Sequence, residues 1–274
     1  SYNSRTSEPY LEDYDYIYNG NVGNWIKFAN TLRLRLAMRI SYVDQTKAET
    51  EAKAAIDHSI GLMTSVSDNA VLKQSVSFSF INEWWEAYES FNDFRMSATM
   101  DCYLKGLQDP RLAAYFKVAK KDGEYHGVRN GQTSRSQGTL SEAASSMNVG
   151  QASSILWMDA AETYFLLAEA KLRLNLGDKT VKEYYEEGVK TSFSSKGASG
   201  AESYLDNDVN VPSISFIDPT NGRNTDVSRM VSNLTVKWDE SVSDDKKLER
   251  IMVQKWIALF PDGQEAWSEM RRTG

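Results

Sequence analysis

The chain has 274 residues, 41% of them hydrophobic and 25% charged, with a net charge of −7 and a single cysteine, Cys102. That length can bury a sizeable core without disulfides, and one cysteine excludes a disulfide within the chain. The acidic balance argues against a nucleic-acid partner, which needs a basic face, and no run of about 20 apolar residues is present to span a bilayer.

Residues 1–23 are polar and carry Tyr10, Tyr14, Tyr16 and Tyr18 among acids, Asn and Gly; they read as an irregular segment turning at Asn19-Gly20-Asn21. Asn24 offers a helix cap, and Trp25, Phe28, Ala29, Leu32, Leu36 and Ile40 follow at helical spacing. Arg33, Arg35 and Arg39 lie mostly on the other flank and are expected to pair with acids on neighbouring helices. A second helix over about 46–60 keeps Ala48, Ala52 and Ala55 in register, so the pair is expected to close as an antiparallel hairpin. Residues 71–80 alternate weakly and suggest a short extended piece; an aromatic-dense stretch and a helix over about 93–107 follow, broken at Asp109-Pro110.

Residues 117–156 are rich in Gly, Ser, Asn and Lys and read as a long loop. Order returns in two helices, about 158–175 and 179–193, divided at Gly177-Asp178. Their length, with Ala161, Ala168 and Ala170 set against Tyr164, Tyr184 and Tyr185, is that of a tetratricopeptide-like unit. Such units stack to bury their faces, which predicts a mainly α-helical fold, a partial superhelix of helix pairs with long irregular insertions. A second loop covers 194–224, and further helices are expected at about 227–236, 244–260 and 263–271, the last two joined by a turn at Pro261-Asp262-Gly263. Trp25, Trp256 and Trp267 fall in register on these helices and are expected in the core.

Residues that could carry chemistry are few. The histidines are His58 and His126, neither beside a nucleophile, and no Cys/His/Asp group has zinc spacing. Cys102 reads as a small buried hydrophobe. Asp239, Glu240, Asp244 and Asp245 are better explained as helix-start acids than as a Ca²⁺ site. A glycosidase needs two opposed carboxylates at a set separation, and none of the 38 acids is singled out. No cofactor or metal is implied and no enzyme is expected.

Aromatic side chains are the better lead, because sugar rings present apolar C–H faces that stack on them while neighbouring polar groups bond the hydroxyls. Trp84, Trp85 and Tyr88, followed by Asn92, Asp93 and Arg95, combine both features, and Tyr125 is a weaker candidate in its Gly-rich loop. On an α-helix Trp84 and Tyr88 share a face, whereas Trp85 points away, so one Trp is expected at a surface or groove. The alternative stays open that these rings are core and that Asn92, Asp93 and Arg95 form a cap with an internal ion pair.

Several stretches resemble the SusD/RagB family: WIKFANTLRLRLAMRI, FNDFRMSATMDCYLKGLQDPRL, DGEYHGVRNG, WMDAAETYFLLAEAKLR and the C-terminal VKWDESVSDDKKLERIMVQKWIALFPDGQEAWSEMRRTG. They occur in family order from about residue 14 to the end. The resemblance implies a non-catalytic, lipid-anchored protein of the outer-membrane surface, built on tetratricopeptide-like pairs, that passes glycans, or in some members peptides, to a TonB-dependent transporter. Against the family pattern both ends look cut, so residues 1–274 are expected to form one incomplete domain lacking the signal peptide and lipidated cysteine, a role Cys102 does not match. A protein-binding helical-repeat scaffold of the same transporter complex is the alternative use. Ligand specificity is expected in the loops 64–92, 117–156 and 194–224.

Overall fold

The computed structural model describes residues 9–131 and 136–274. In chain order its elements are helices α1 (Val22–Arg39) and α2 (Gln45–Ile56), strand β1 (Ala70–Leu72), the helical turn α3 (Glu83–Trp85), α4 (Ala98–Gly106), α5 (Arg111–Tyr115) and α6 (Gln137–Ala143), strand β2 (Ile155–Met158), α7 (Ala160–Leu174), α8 (Val181–Lys196) and α9 (Ala201–Leu205), strands β3 (Ser215–Ile217) and β4 (Asn224–Asp226), and α10 (Asp244–Leu259) and α11 (Gly263–Thr273). They gather into two compact units, each assembled from separated stretches of the chain. The fold is mainly α, and the helix pairs are those the periodicity predicts. The first eight residues of the Tyr-rich N-terminal segment lie outside the described residues.

The first unit takes residues 9–78, 154–195 and 239–274. Asn21, not Asn24, caps α1: its side chain accepts from the Asn24 backbone N–H at 3.0 Å. Helices α1 and α2 pack together, and Ala48, Ala52 and Ala55 are fully buried, which lets the backbones approach closely. Helix α7 packs on α1 and on α10 through a run of buried residues from Ala160 to Ala170. At Gly188 of α8 an added Cβ would sit 2.8 Å from the Phe165 ring, so glycine is needed for α8 to lie against α7. The Phe165 and Tyr185 rings then meet edge-on at 6.4 Å. Strands β1 and β2 pair antiparallel beside a cluster of Ile17, Tyr18, Met63 and Met158, on which Trp25 packs partly buried. Its indole N–H donates to Asp15 at 2.8 Å.

Buried charge joins α1, α7, α10 and α11. Arg35 binds Glu162 with two donors and lies 3.6 Å from Glu265; Arg39 pairs with Glu265 and, at 3.3 Å, with Glu269. Lys255 reaches Glu269 at 2.8 Å and Glu162 at 3.8 Å. Arg272 forks onto Glu169 at 2.6 and 2.7 Å, and Arg173 reaches the same carboxylate at 3.0 Å. The arginines of α1 thus pair as expected, but one tryptophan does not: Trp267 is 55% exposed. Helix α11 turns Glu265, Glu269 and Arg272 inward, and residues three and four apart share a face, so Trp267 and Met270 are left on the opposite one.

The second unit takes residues 79–153 and 196–238, of which 132–135 lie outside the described residues. Buried Arg111 forks onto Asp109, which also accepts the Tyr204 hydroxyl at 2.7 Å. An added Cβ on Gly106 would fall 2.3 Å from the Ser213 backbone nitrogen, so only glycine lets the 211–213 stretch cross the end of α4. Cys102 is buried, and burial pushes its thiol up to about 11, in keeping with a packing role. The 117–153 stretch is less open than its composition suggests. Ser145 N–H donates to the His126 carbonyl, Met96 N–H to the Ser145 carbonyl, and Val128 N–H to the Met96 carbonyl, all at 2.8 to 2.9 Å.

Residues 227–236 are not the expected helix. Asp226 accepts the Ser228 N–H at 2.9 Å, the Ser232 hydroxyl accepts the Leu234 N–H at 3.1 Å, and Tyr103 takes the Ser232 N–H at 2.9 Å. Such local side-chain bonds compete with helical ones, and here they win.

Replacing Glu169 with Ala leaves Arg272 and Arg173 facing a buried gap and should cost about 3–5 kcal/mol in a urea titration, whereas Lys53→Ala, at an exposed pair with Asp57, should leave the midpoint in place. Burial alone would raise the Glu269 carboxyl, but Lys255 and Arg272 outweigh it and hold the group well below the usual carboxylate range. A depressed folded-state value gives stability that is complete above the unfolded pKa of about 4.3 and lost as pH falls below it. Thermal midpoints measured from pH 7 to pH 3 should therefore drop on the acid side, and less so for Glu269→Gln.

Candidate functional site

Residues 82–95 of the second unit carry most of the expected site. Asn82 is buried and anchors the segment: its side-chain oxygen accepts from the Trp84 and Trp85 N–H groups at 3.0 and 3.2 Å, and its amide donates to the Ser153 carbonyl at 3.0 Å. The Asn82 N–H in turn donates to the Gln151 carbonyl at 2.9 Å. Such a cap starts a helix, and α3 begins there. The helix then widens. Residues Glu86–Ser90 form a π turn in which the Phe91 N–H reaches back to the Glu86 carbonyl at 2.8 Å, and the Asp93 N–H reaches further, to Ala87, at 2.9 Å.

The rings along this segment differ in exposure. Trp84 is 37% exposed, while Tyr88, expected beside it on one face, is buried at 8%. An α-helix would place residues i and i+4 together, yet here one ring of the pair meets solvent and the other does not. Trp85 is half-buried. Burial pushes the Tyr88 hydroxyl up to about 12, so it stays protonated. Beyond the turn Asn92 adopts a left-handed backbone with φ 56°, one of the few non-glycine residues suited to it, and the chain reverses. Phe91 and Phe94 then stand 56% and 54% exposed on either side of Asn92 and Asp93. The Phe94 ring lies 5.9 Å from that of Tyr88, so the buried ring supports the exposed one.

Arg95 holds this reversal from within. Its guanidinium donates to the Tyr88 carbonyl at 3.0 Å and to the Asn92 side chain at 2.8 Å, and burial pulls its pKa down. Glu89, below the turn, accepts from Ser146 at 2.8 Å and Lys117 at 3.1 Å. Gln137 of α6 donates to the Phe91 carbonyl and to Asp93 Oδ1, the latter at 3.1 Å. Of the expected residues, Trp84, Trp85, Tyr88, Asn92, Asp93 and Arg95 therefore form one built segment. Tyr125 is half-buried elsewhere in the unit; its carbonyl accepts from Lys105 at 2.9 Å, and no described contact joins it to the segment. Sequence reasoning does not single out Phe91 or Phe94 as candidates, although both flank the Asn-Asp pair that it names.

The segment offers exposed aromatic rings and, between two of them in sequence, an exposed carboxylate, which suits a ligand with apolar faces and donor groups. Residues 82–95 carry no His or Cys; Cys102 is buried elsewhere in the unit, and His126 Nε2 pairs with Asp122 at 2.9 Å. No group of acids, His and Cys able to hold a metal ion occurs among the described residues, and none of their helices is long and apolar enough to cross a membrane.

A family model described as SusD-like, SusD and RagB outer membrane lipoprotein, matches residues 2–274. No curated protein matches the chain. Among solved structures, a chitin-binding SusD homologue from Flavobacterium johnsoniae is 39% identical with a TM-score of 0.91; the match covers 99% of this chain and 56% of that one. SusD homologues from Bacteroides uniformis and Bacteroides thetaiotaomicron are 37% and 36% identical, each with a TM-score of 0.89 over 100% of this chain and 56% and 57% of theirs. The chain thus spans a little over half the length of these relatives.

Replacing Asn82 with Ala removes the cap and strands the Ser153 carbonyl, which should cost about 1–2 kcal/mol in a denaturant titration. It should also quench or shift Trp84 and Trp85 fluorescence in the folded state.

Proposed function

Because the chain belongs to the SusD/RagB family of outer-membrane lipoproteins, we propose that it forms the ligand-capturing part of a lipid-anchored cell-surface protein that binds oligosaccharides and delivers them to a TonB-dependent transporter. It performs no chemistry on the ligand. The observation that carries this reading is the exposure of Trp84, Phe91 and Phe94 within one short segment, with exposed Asp93 between the two phenylalanines in sequence. Sugar rings stack on such faces, and a carboxylate accepts hydrogen bonds from hydroxyl or amide donors. Trp84, Phe91, Asp93 and Phe94 meet the ligand, while Asn82, Trp85, Tyr88, Asn92 and Arg95 hold them in place. The chitin-binding relative supports a saccharide and puts chito-oligosaccharides first in the order of trial.

Isothermal titration of the chain against chitohexaose, other oligosaccharides and short peptides tests the reading. At least one saccharide should bind, and Trp84→Ala, Phe91→Ala and Phe94→Ala should each weaken it roughly fivefold to tenfold, the worth of about 1 kcal/mol of ring contact, with the thermal midpoint little changed. Binding of peptides alone would favour the scaffold alternative. Saccharide binding that ignores all three substitutions would place the surface elsewhere.

A further inference from the structure

We propose that Gln137 is a positioning residue for the ligand surface, holding the Phe91–Phe94 tip in its binding shape from α6. The inference rests on reading that tip as the ligand surface. Among the described residues, Gln137 makes the only hydrogen bonds to residues 91–94 from a distant part of the chain. The other ties are local: Phe91 and Asp93 N–H groups bond into the π turn, and Arg95 bonds Tyr88, Phe94 and Asn92. Local bonds alone leave a tip with one left-handed residue and two exposed rings free to rock as a body. A fixed donor on another helix stops that motion, and a surface held rigid before binding loses less entropy when it binds.

The chemistry of the donor matters. The amide nitrogen of Gln137 serves both the Phe91 carbonyl and Asp93 Oδ1, so one group fixes backbone and carboxylate together. It orients Asp93 without cancelling its charge, as Lys or Arg in its place would do. Asp93 is exposed, and among the described residues only its Oδ1 is bonded, which leaves Oδ2 as an anionic acceptor. Because Gln137 is itself exposed, each bond is individually weak, and its effect should appear in the order of the tip and in affinity more than in global stability.

Two measurements on the full chain test this. In hydrogen exchange without ligand, Gln137→Ala should speed exchange of the Phe91 and Asp93 amides about tenfold and leave the α7 and α10 amides and the thermal midpoint unchanged. In titration with chitohexaose, the same variant should bind about threefold to tenfold more weakly. Gln137→Glu should be worse in both, since two carboxylates then face each other. Adding Asp93→Asn to it should recover protection of the backbone amide at position 93, because the introduced side-chain amide then donates to the introduced carboxylate. Unchanged exchange in Gln137→Ala overturns the proposal whatever the ligand proves to be. Faster exchange with full chitohexaose affinity also overturns it. If the native chain fails to bind chitohexaose, the saccharide reading weakens, while the exchange result still decides whether Gln137 orders the tip.

Discussion

Four buried glutamates hold the first unit together. Glu162 and Glu169 on α7 and Glu265 and Glu269 on α11 meet cations from α1, α7, α10 and α11, so that no helix in the group satisfies its charges alone. Carboxylates out of water are costly unless each is paired and hydrogen-bonded. Hydrophobic packing tolerates sliding by a fraction of a turn, but a forked Arg272–Glu169 contact does not. The network therefore acts less as a source of net stability than as a constraint on the rotation and register of α11 against α7. Arg173 extends it to the surface, where its guanidinium lies 3.7 Å above the Tyr42 ring.

That constraint explains where sequence periodicity succeeded and where it misled. Helices α1, α2, α7, α8 and α10 could be read within a few residues because apolar or small residues recur along them at helical spacing. Even so, α7 and α10 also bury Glu162, Glu169 and Lys255, and α1 leaves Ala29 and Leu36 of its expected face exposed and buries Leu34, Ala37 and Met38 instead. The same rule failed on α11. Its apolar residues mark the outward face, and its buried face is Glu265, Glu269 and Arg272, a pattern that hydropathy alone reads inside out. The failed helix at 227–236 has a different cause: Ser and Asp side chains captured the backbone donors before a helical turn could. Neither error is visible without knowing which partner each polar group finds.

At the candidate site the residue types were legible and their arrangement was not. Paired Trp residues and an Asn-Asp-Phe-Arg run after a Tyr announce a polar–aromatic stretch, but not the Asn82 cap that starts it. The division between rings that face out and rings that lie beneath depends on backbone hydrogen bonds the composition does not encode. Gln137 has no motif at all. It matters through a contact across more than 40 positions in the chain, a distance over which spacing rules say nothing. Tyr125 stands apart from the candidate segment: its Gly-rich neighbourhood is laced to residues 96 and 145 by its own backbone.

The π turn at Glu86–Ser90 is an α-helix with one residue more than its register needs. Each residue of an α-helix advances the side-chain direction by about 100°, so a one-residue insertion or deletion at this point would swing every ring before it relative to every ring after it while leaving the composition intact. The cap at Asn82 lies before the turn, whereas the Arg95 clasp reaches into it at the Tyr88 carbonyl. A segment built this way can exchange the ring it offers to solvent for a neighbour by changing length at one locus, with no new aromatic residue.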